Sequence, residues 1–171
     1  MSYTLSGLSD DVRTLLRDRN AADCSAELCQ LVSKALLDNE FVTRHLPDRA
    51  EGESPRKVLF EDPELGFCIC GHVHSGEAIG EPHDHGHGWA LYGQAAGVTE
   101  MIDWEVVDAG SADNPKLVRP VKTYEMNPGD AHFYDVGAVH SPKRTKPTRL
   151  IRIESENLDN VTRSSIQAAP E

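Results

Sequence analysis

Gly80-Glu81-Pro82-His83-Asp84-His85-Gly86-His87-Gly88-Trp89 is the stretch on which the reading of this chain turns. Along an extended backbone successive side chains alternate between faces, so His83, His85 and His87 are expected on one side and Asp84 on the other. Such an arrangement can deliver two imidazoles to one ion. A third donor from a distant strand is then expected. His140 stands ready in Asp135-Val136-Gly137-Ala138-Val139-His140-Ser141-Pro142, and His132 is its competitor. Neutral imidazole suits Fe, Zn, Cu and Ni. His72 and His74, which share one parity on an earlier segment, are read as ordinary strand residues.

Working outward, short apolar stretches alternate with Gly, Pro and Asp about every ten residues, an all-β texture. Strands are predicted over 57–61, 67–73, 88–93, 98–107, 118–126, 131–136 and 148–154. In Asn127-Pro128-Gly129-Asp130 the proline presets one corner and the glycine is free to take positive φ at the next, which predicts a tight turn. Residues 109–115 read as a surface loop. Upstream the period changes. Val12, Leu15, Leu16, Leu28, Leu31, Val32, Leu36 and Leu37 recur at spacings near three and four, predicting two helices, the second capped by Asp23 or Ser25. The polar, breaker-rich Glu51-Gly52-Glu53-Ser54-Pro55 separates the two regions. The expected organisation is a helical segment over 1–50 packed on a β-barrel over 51–160, with a mobile tail over 161–171.

A chain of 171 residues suits one core. Its 17 basic and 28 acidic residues leave a net charge of -11, which disfavours nucleic acid, because phosphate binding depends on Lys and Arg. No apolar run approaches the roughly 20 residues that span a bilayer, so no membrane association is expected. The opening Met1-Ser2-Tyr3-Thr4-Leu5 lacks the pattern of a secretory signal, and a cytoplasmic location is expected. Cys24, Cys29, Cys68 and Cys70 form no C-x-x-C pair and are read as reduced, mostly buried thiols, with Cys68 and Cys70 on one face of a strand.

These residues resemble the cupin family, whose motifs are G-x5-H-x-H-x3,4-E-x6-G and G-x5,7-P-x-G-x2-H-x3-N. His83 and His85 match the first pair, Pro128-Gly129 the turn of the second motif, and His140 its final ligand. The first motif's glutamate is missing, since Trp89 or Ala90 stands in its place. A cupin with three histidines and no such glutamate is similar to the thiol dioxygenases, the cysteine and 3-mercaptopropionate dioxygenase group. The resemblance covers roughly residues 25–155. It implies an all-β double-stranded β-helix (jelly-roll) barrel and Fe(II) held by His83, His85 and His140, with Mn, Ni or Zn as other candidates.

The resemblance further implies that Arg56 grips a substrate carboxylate by a bidentate pair, for which guanidinium is suited. Its alternative is a solvated charge at a strand end. The family's late Ser-x-His-x-Tyr is replaced by Leu150-Ile151-Arg152-Ile153-Glu154, which makes Arg152 a second candidate for the carboxylate and Glu154 its neighbour, the two facing inward as a pair or outward to solvent. Ala90 stands where the animal enzymes place the cysteine of a Cys-Tyr cross-link, so none is expected. His87, Trp89, Tyr92, Tyr134 and His132 are further pocket candidates, an exposed loop position being the alternative for His87.

The implied activity is the addition of both atoms of O2 to the sulfur of a small thiol carboxylate, giving a sulfinate. Two other readings stand beside it: a three-histidine metal cupin acting on a carbon acid such as a β-diketone, and a non-catalytic small-molecule-binding barrel. Strand edges need covering, and a homodimer is the expected way of covering them.

Overall fold

In the computed structural model, which describes residues 3–170, three helices precede ten strands. Helices α1 (Leu5–Leu16), α2 (Ser25–Leu36) and α3 (Asn39–His45) are followed by β1 (Arg56–Glu61), β2 (Cys68–His74), β3 (Ala78–Ile79), β4 (Ala90–Ala96) and β5 (Thr99–Asp108). The order continues with β6 (Lys116–Met126), β7 (Ala131–Tyr134), β8 (Val139–Arg144), β9 (Thr148–Glu154) and β10 (Ile166–Ala168). Thr4 caps α1 by accepting from Gly7 N–H, and Asp38 caps α3 by accepting from the N–H groups of Glu40 and Phe41. Neither Asp23 nor Ser25 caps α2. Instead the 3-10 turn Ala22–Cys24 runs directly into it, so its first turn needs no side-chain acceptor from the expected residues.

The strands form two five-stranded sheets, ordered β1-β2-β9-β4-β7 and β10-β6-β5-β8-β3. In the first sheet Cys70 lies opposite Arg152, which lies opposite Tyr92, so these three share a face with His72 and Glu154. The other face presents Ile69, Leu91, Ile151 and Ile153. These pack with Leu8, Val12, Leu28, Val32, Phe41 and Leu46 in one apolar cluster, which is how the N-terminal helices attach to the sheet. A second cluster joins Ala90, Tyr92 and Tyr134 of the first sheet to Met101 and Met126 of the second. The inner faces of the two sheets therefore enclose the barrel interior.

Residues 127–130 turn the chain from β6 in one sheet to β7 in the other. Gly129 takes φ +97° and Asp130 N–H donates to Asn127 O at 2.9 Å, as a turn with glycine at its second corner requires. Four elements, α3, β3, β8 and β10, depart from the sequence reading. Strand β8 was not predicted because Pro142 lies inside it. Its partner β3 is only two residues long, and beyond it Pro142 O accepts from Gly80 N–H at 2.8 Å. Helix α3 spans seven residues, too few to show a clear period. Residues 166–168, expected in a mobile tail, pair in parallel with Lys116, Leu117 and Val118, so backbone hydrogen bonding holds them where apolar content does not. No helix among the described residues is long and apolar enough to cross a membrane.

Helix α2 approaches β4 at Gly93. A β-carbon there would collide with Val32 Cγ1 and lie 2.7 Å from Leu36 Cδ1. Gly93→Val should lower stability by about 1–3 kcal/mol through overpacking, read as a lower urea midpoint with unchanged m. Gly76→Ala, facing open space, should leave the midpoint in place. Equal midpoints for the two variants would contradict this helix packing.

Candidate metal centre

His83 and His140 are brought side by side by the backbone. Each N–H donates to the other's carbonyl at 3.0 Å, forming an isolated antiparallel bridge between the 80–89 loop and β8. His85 completes the group, and the donor atoms of His83, His85 and His140 all lie within 4.8 Å of one another. His132 does not join them. Its ring rests against Tyr134 and Tyr124, at 4.5 and 5.2 Å, with Tyr134 in turn stacked on His140 at 3.8 Å.

The loop that carries the first two histidines is held by Asp84. This carboxylate, 1% exposed, accepts from Gly86 N–H, Ser164 N–H and Lys116 Nζ, each at 3.1 Å. Burial alone would raise its pKa. The hydrogen bonds from Ser164, Gly86 and Lys116 outweigh burial and hold it at about 2. Gly86 then takes φ +61°, and a β-carbon on it would lie 2.6 Å from Thr162 O. This turn breaks the extended run. His87 consequently leaves the shared face: its side chain is 72% exposed and its Nε2 lies 2.8 Å from Glu156 Oε1. The three-residue alternation expected at 83, 85 and 87 thus stops at His85.

The histidines are prepared as neutral donors. His83 Nδ1 lies 2.9 Å from Glu81 O and His140 Nδ1 lies 3.3 Å from Ala138 O. A carbonyl only accepts, so each Nδ1 carries the proton and each Nε2 keeps a lone pair. Burial, reinforced by neighbouring cationic groups, pushes His83 down to about 4, His85 down to about 3 and His140 well below the usual value. Tyr92 Oη lies 3.1 Å from Nε2 of both His85 and His140, while His85 Nδ1 is buried without a partner. Whichever nitrogen of His85 bears the proton, at least one buried ring nitrogen is left unanswered by the protein. With three neutral imidazoles, their donor atoms within 4.8 Å of one another, this donor set fits a metal that prefers imidazole.

The remaining expected site residues divide. The Arg152 guanidinium lies 3.9 Å from the Tyr92 ring centroid, on the inner face. Glu154 shares that face but does not pair with Arg152. Its carboxylate accepts from Arg56 Nη2 at 2.7 Å, and Arg56 also binds Asp159 at 2.6 Å and Asn157 Oδ1 at 2.9 Å. Arg56 is therefore occupied by the protein's own acceptors rather than open to a carboxylate. Trp89 falls on the opposite parity from Ala90 and packs against Phe133 at 5.5 Å in the helix-side cluster, away from the imidazoles. Asp84, which positions the loop, was placed on its correct face without a role. Arg144 shares its parity with His140 on β8, a relation that the sequence reveals only once β8 is known to be a strand.

The buried histidines set a direction for acid stability. A histidine with a folded pKa below 6.5 binds a proton more readily when unfolded, so its contribution is complete above pH 6.5 and is lost as pH falls through the folded value. With His74 and His83 near 4 and His85 near 3, the metal-free protein should lose stability from about pH 6.5 downward. Urea midpoints measured between pH 7.5 and 4.5 test this, and a flat profile would contradict it.

No family model matches the chain, and no curated protein matches it. Solved structures do. An uncharacterised conserved protein with a double-stranded β-helix domain from Klebsiella pneumoniae is similar over 73% of this chain and 88% of that one, at 16% identity and a TM-score of 0.50. The cupin domain of Cnp3 from Schizosaccharomyces pombe matches over 63% and 70% of the two chains, at 16% identity and a TM-score of 0.45. KdgF from a Halomonas species matches over 70% and 89%, at 17% identity and a TM-score of 0.44. These likenesses bear on the fold and do not single out the thiol dioxygenases. The two facing sheets and the first of these structures give the chain the double-stranded β-helix fold of the cupins, mostly strands with short N-terminal helices.

Proposed function

We propose that this protein is a mononuclear non-haem Fe(II) dioxygenase that converts a small thiol carboxylate into a sulfinate. The observation that carries this reading is a cluster of three neutral imidazoles with no carboxylate among its donors, set beside a guanidinium that has no acidic partner. Three neutral donors leave a divalent charge uncompensated, which favours an anionic ligand such as a thiolate. Bound iron would supply a position for that thiolate and activate O2, both atoms of which are added to sulfur, RS⁻ plus O2 giving RSO2⁻.

The chain's own residues supply orientation. Arg152, with Nε buried and unpartnered, offers its planar fork to the substrate carboxylate. Arg56 holds Glu154 away from Arg152 and so preserves that guanidinium for a ligand. Burial raises the Tyr92 hydroxyl's pKa, so it stays protonated and can donate a hydrogen bond beside the imidazoles. The stacked Tyr134 and the buried His140 keep water from that side of the centre.

Oxygen uptake by the Fe(II)-loaded protein should depend on cysteine or 3-mercaptopropionate and yield the sulfinate. Arg152→Ala should lower kcat/KM by roughly 10- to 100-fold, the size of a charged hydrogen bond of about 1.5–3 kcal/mol. The loss should vanish with a thiol that lacks the carboxylate. Uptake with a β-diketone but with no thiol would contradict the assignment.

A further inference from the structure

Arg152 is not the only unpaired cation inside the barrel. Arg144 follows His140 and Pro142 at the same parity on β8, so it projects into the interior, and it is 3% exposed. His72, 4% exposed, and His74 project inward from β2, their rings 6.3 Å apart. Nε and Nη2 of Arg144, Nε of Arg152, and Nε2 of both His72 and His74 are buried with no hydrogen-bond partner. No acidic side chain among the described residues pairs with either guanidinium. The groups that face Arg144 are Arg152, the imidazoles of His72 and His74, and the hydroxyls of Tyr92 and Tyr134, none of them an anion at physiological pH.

This is an unusual place for positive charge. The chain carries -11 overall, with ample carboxylates for its surface cations, yet neither the buried Arg144 nor the half-buried Arg152, whose Nε is enclosed, has one. Burial and the nearby Arg152 push Arg144 down to about 10, so it remains charged at neutral pH. Buried charge is costly unless it is paired, and buried donors are ordinarily satisfied. What is missing is an anion.

We propose that Arg144, Arg152, His72 and His74 form an oxyanion site inside the barrel for a ligand carrying two negative charges. Two guanidiniums match either a pair of carboxylates or one phosphate, with the imidazoles supplying further hydrogen bonds. The inference deepens the reading above and rests on it only in sharing Arg152. The substrate class becomes a thiol with a second anionic group, held along the barrel from the imidazole cluster to Arg144. Anion binding itself requires no metal, so the two readings can fail separately.

The test is thermal unfolding and calorimetric titration of the metal-free 171-residue protein with succinate, inorganic phosphate and propionate, for the wild type, Arg144→Gln and His83→Ala, with the metal content of each read separately after loading with Fe(II). One of the two dianions should raise Tm and bind at least tenfold more tightly than propionate. Succinate alone would identify a dicarboxylate, and phosphate alone a phosphate ester. Arg144→Gln should weaken that binding at least tenfold, keep its metal content, and leave the unliganded Tm equal or higher, because it removes an unpaired buried charge. His83→Ala should lose metal and keep the dianion. The proposal is overturned if neither dianion binds the wild type better than Arg144→Gln, or if Arg144→Gln lowers the unliganded Tm. Loss of metal binding in the wild type, with dianion binding retained, would overturn the dioxygenase reading alone.

Discussion

The two reciprocal backbone hydrogen bonds between His83 and His140 are the constraint on which the centre depends. They join a loop to a strand 57 positions later in the chain, a separation carried by the bridge itself. Because the bonds are between main-chain atoms, they set the spacing of the two Cα atoms from which the imidazoles project. Asp84 and Gly86 then fix the path from His83 to His85, the first through three donors and the second through a conformation that only glycine adopts at ease. The three-histidine cluster is thus framed by backbone geometry before any ion is considered.

Around that frame the first sheet separates two environments. Its outer face is closed by the helices with aliphatic and aromatic side chains, a source of stability that makes no demand on the interior. Its inner face carries Cys70, His72, Tyr92, Arg152 and Glu154, a set costly to bury. The cost is offset locally for Glu154 by Arg56 and the Leu158 N–H. For the imidazoles and for Arg144 and Arg152 it is not offset by the protein, and the most economical physical reason is that ligands complete them. Stability is concentrated on one side of the sheet and chemistry on the other.

Much of this was legible in the sequence. The His-x-His pair and the Pro-Gly turn are local patterns that alternation and turn stereochemistry make readable, whereas the preference for His140 over His132 rests on the resemblance to cupin motifs. The unreadable parts depend on contacts distant in sequence. Gly86 could be seen as a glycine, but its approach to Thr162, which turns His87 outward, could not. Arg56 and Glu154, 98 positions apart, find each other only through the strand order β1-β2-β9. Pro142 hid β8, and with it the parity that brings Arg144 under the same roof as His140. His72 and His74 looked ordinary because burial and missing partners are not written in a strand pattern.

The central claim is that His83, His85 and His140 hold one ion through imidazole nitrogen. Extended X-ray absorption at the zinc edge of protein loaded with one equivalent of Zn(II) addresses it directly. The account predicts a first shell of nitrogen and oxygen at about 2.0–2.1 Å with imidazole outer-shell scattering fitted by three rings. Replacing any one of the three histidines by alanine should remove one ring from that fit. Sulfur scattering at about 2.3 Å, or an oxygen-only shell indifferent to the three substitutions, would contradict it.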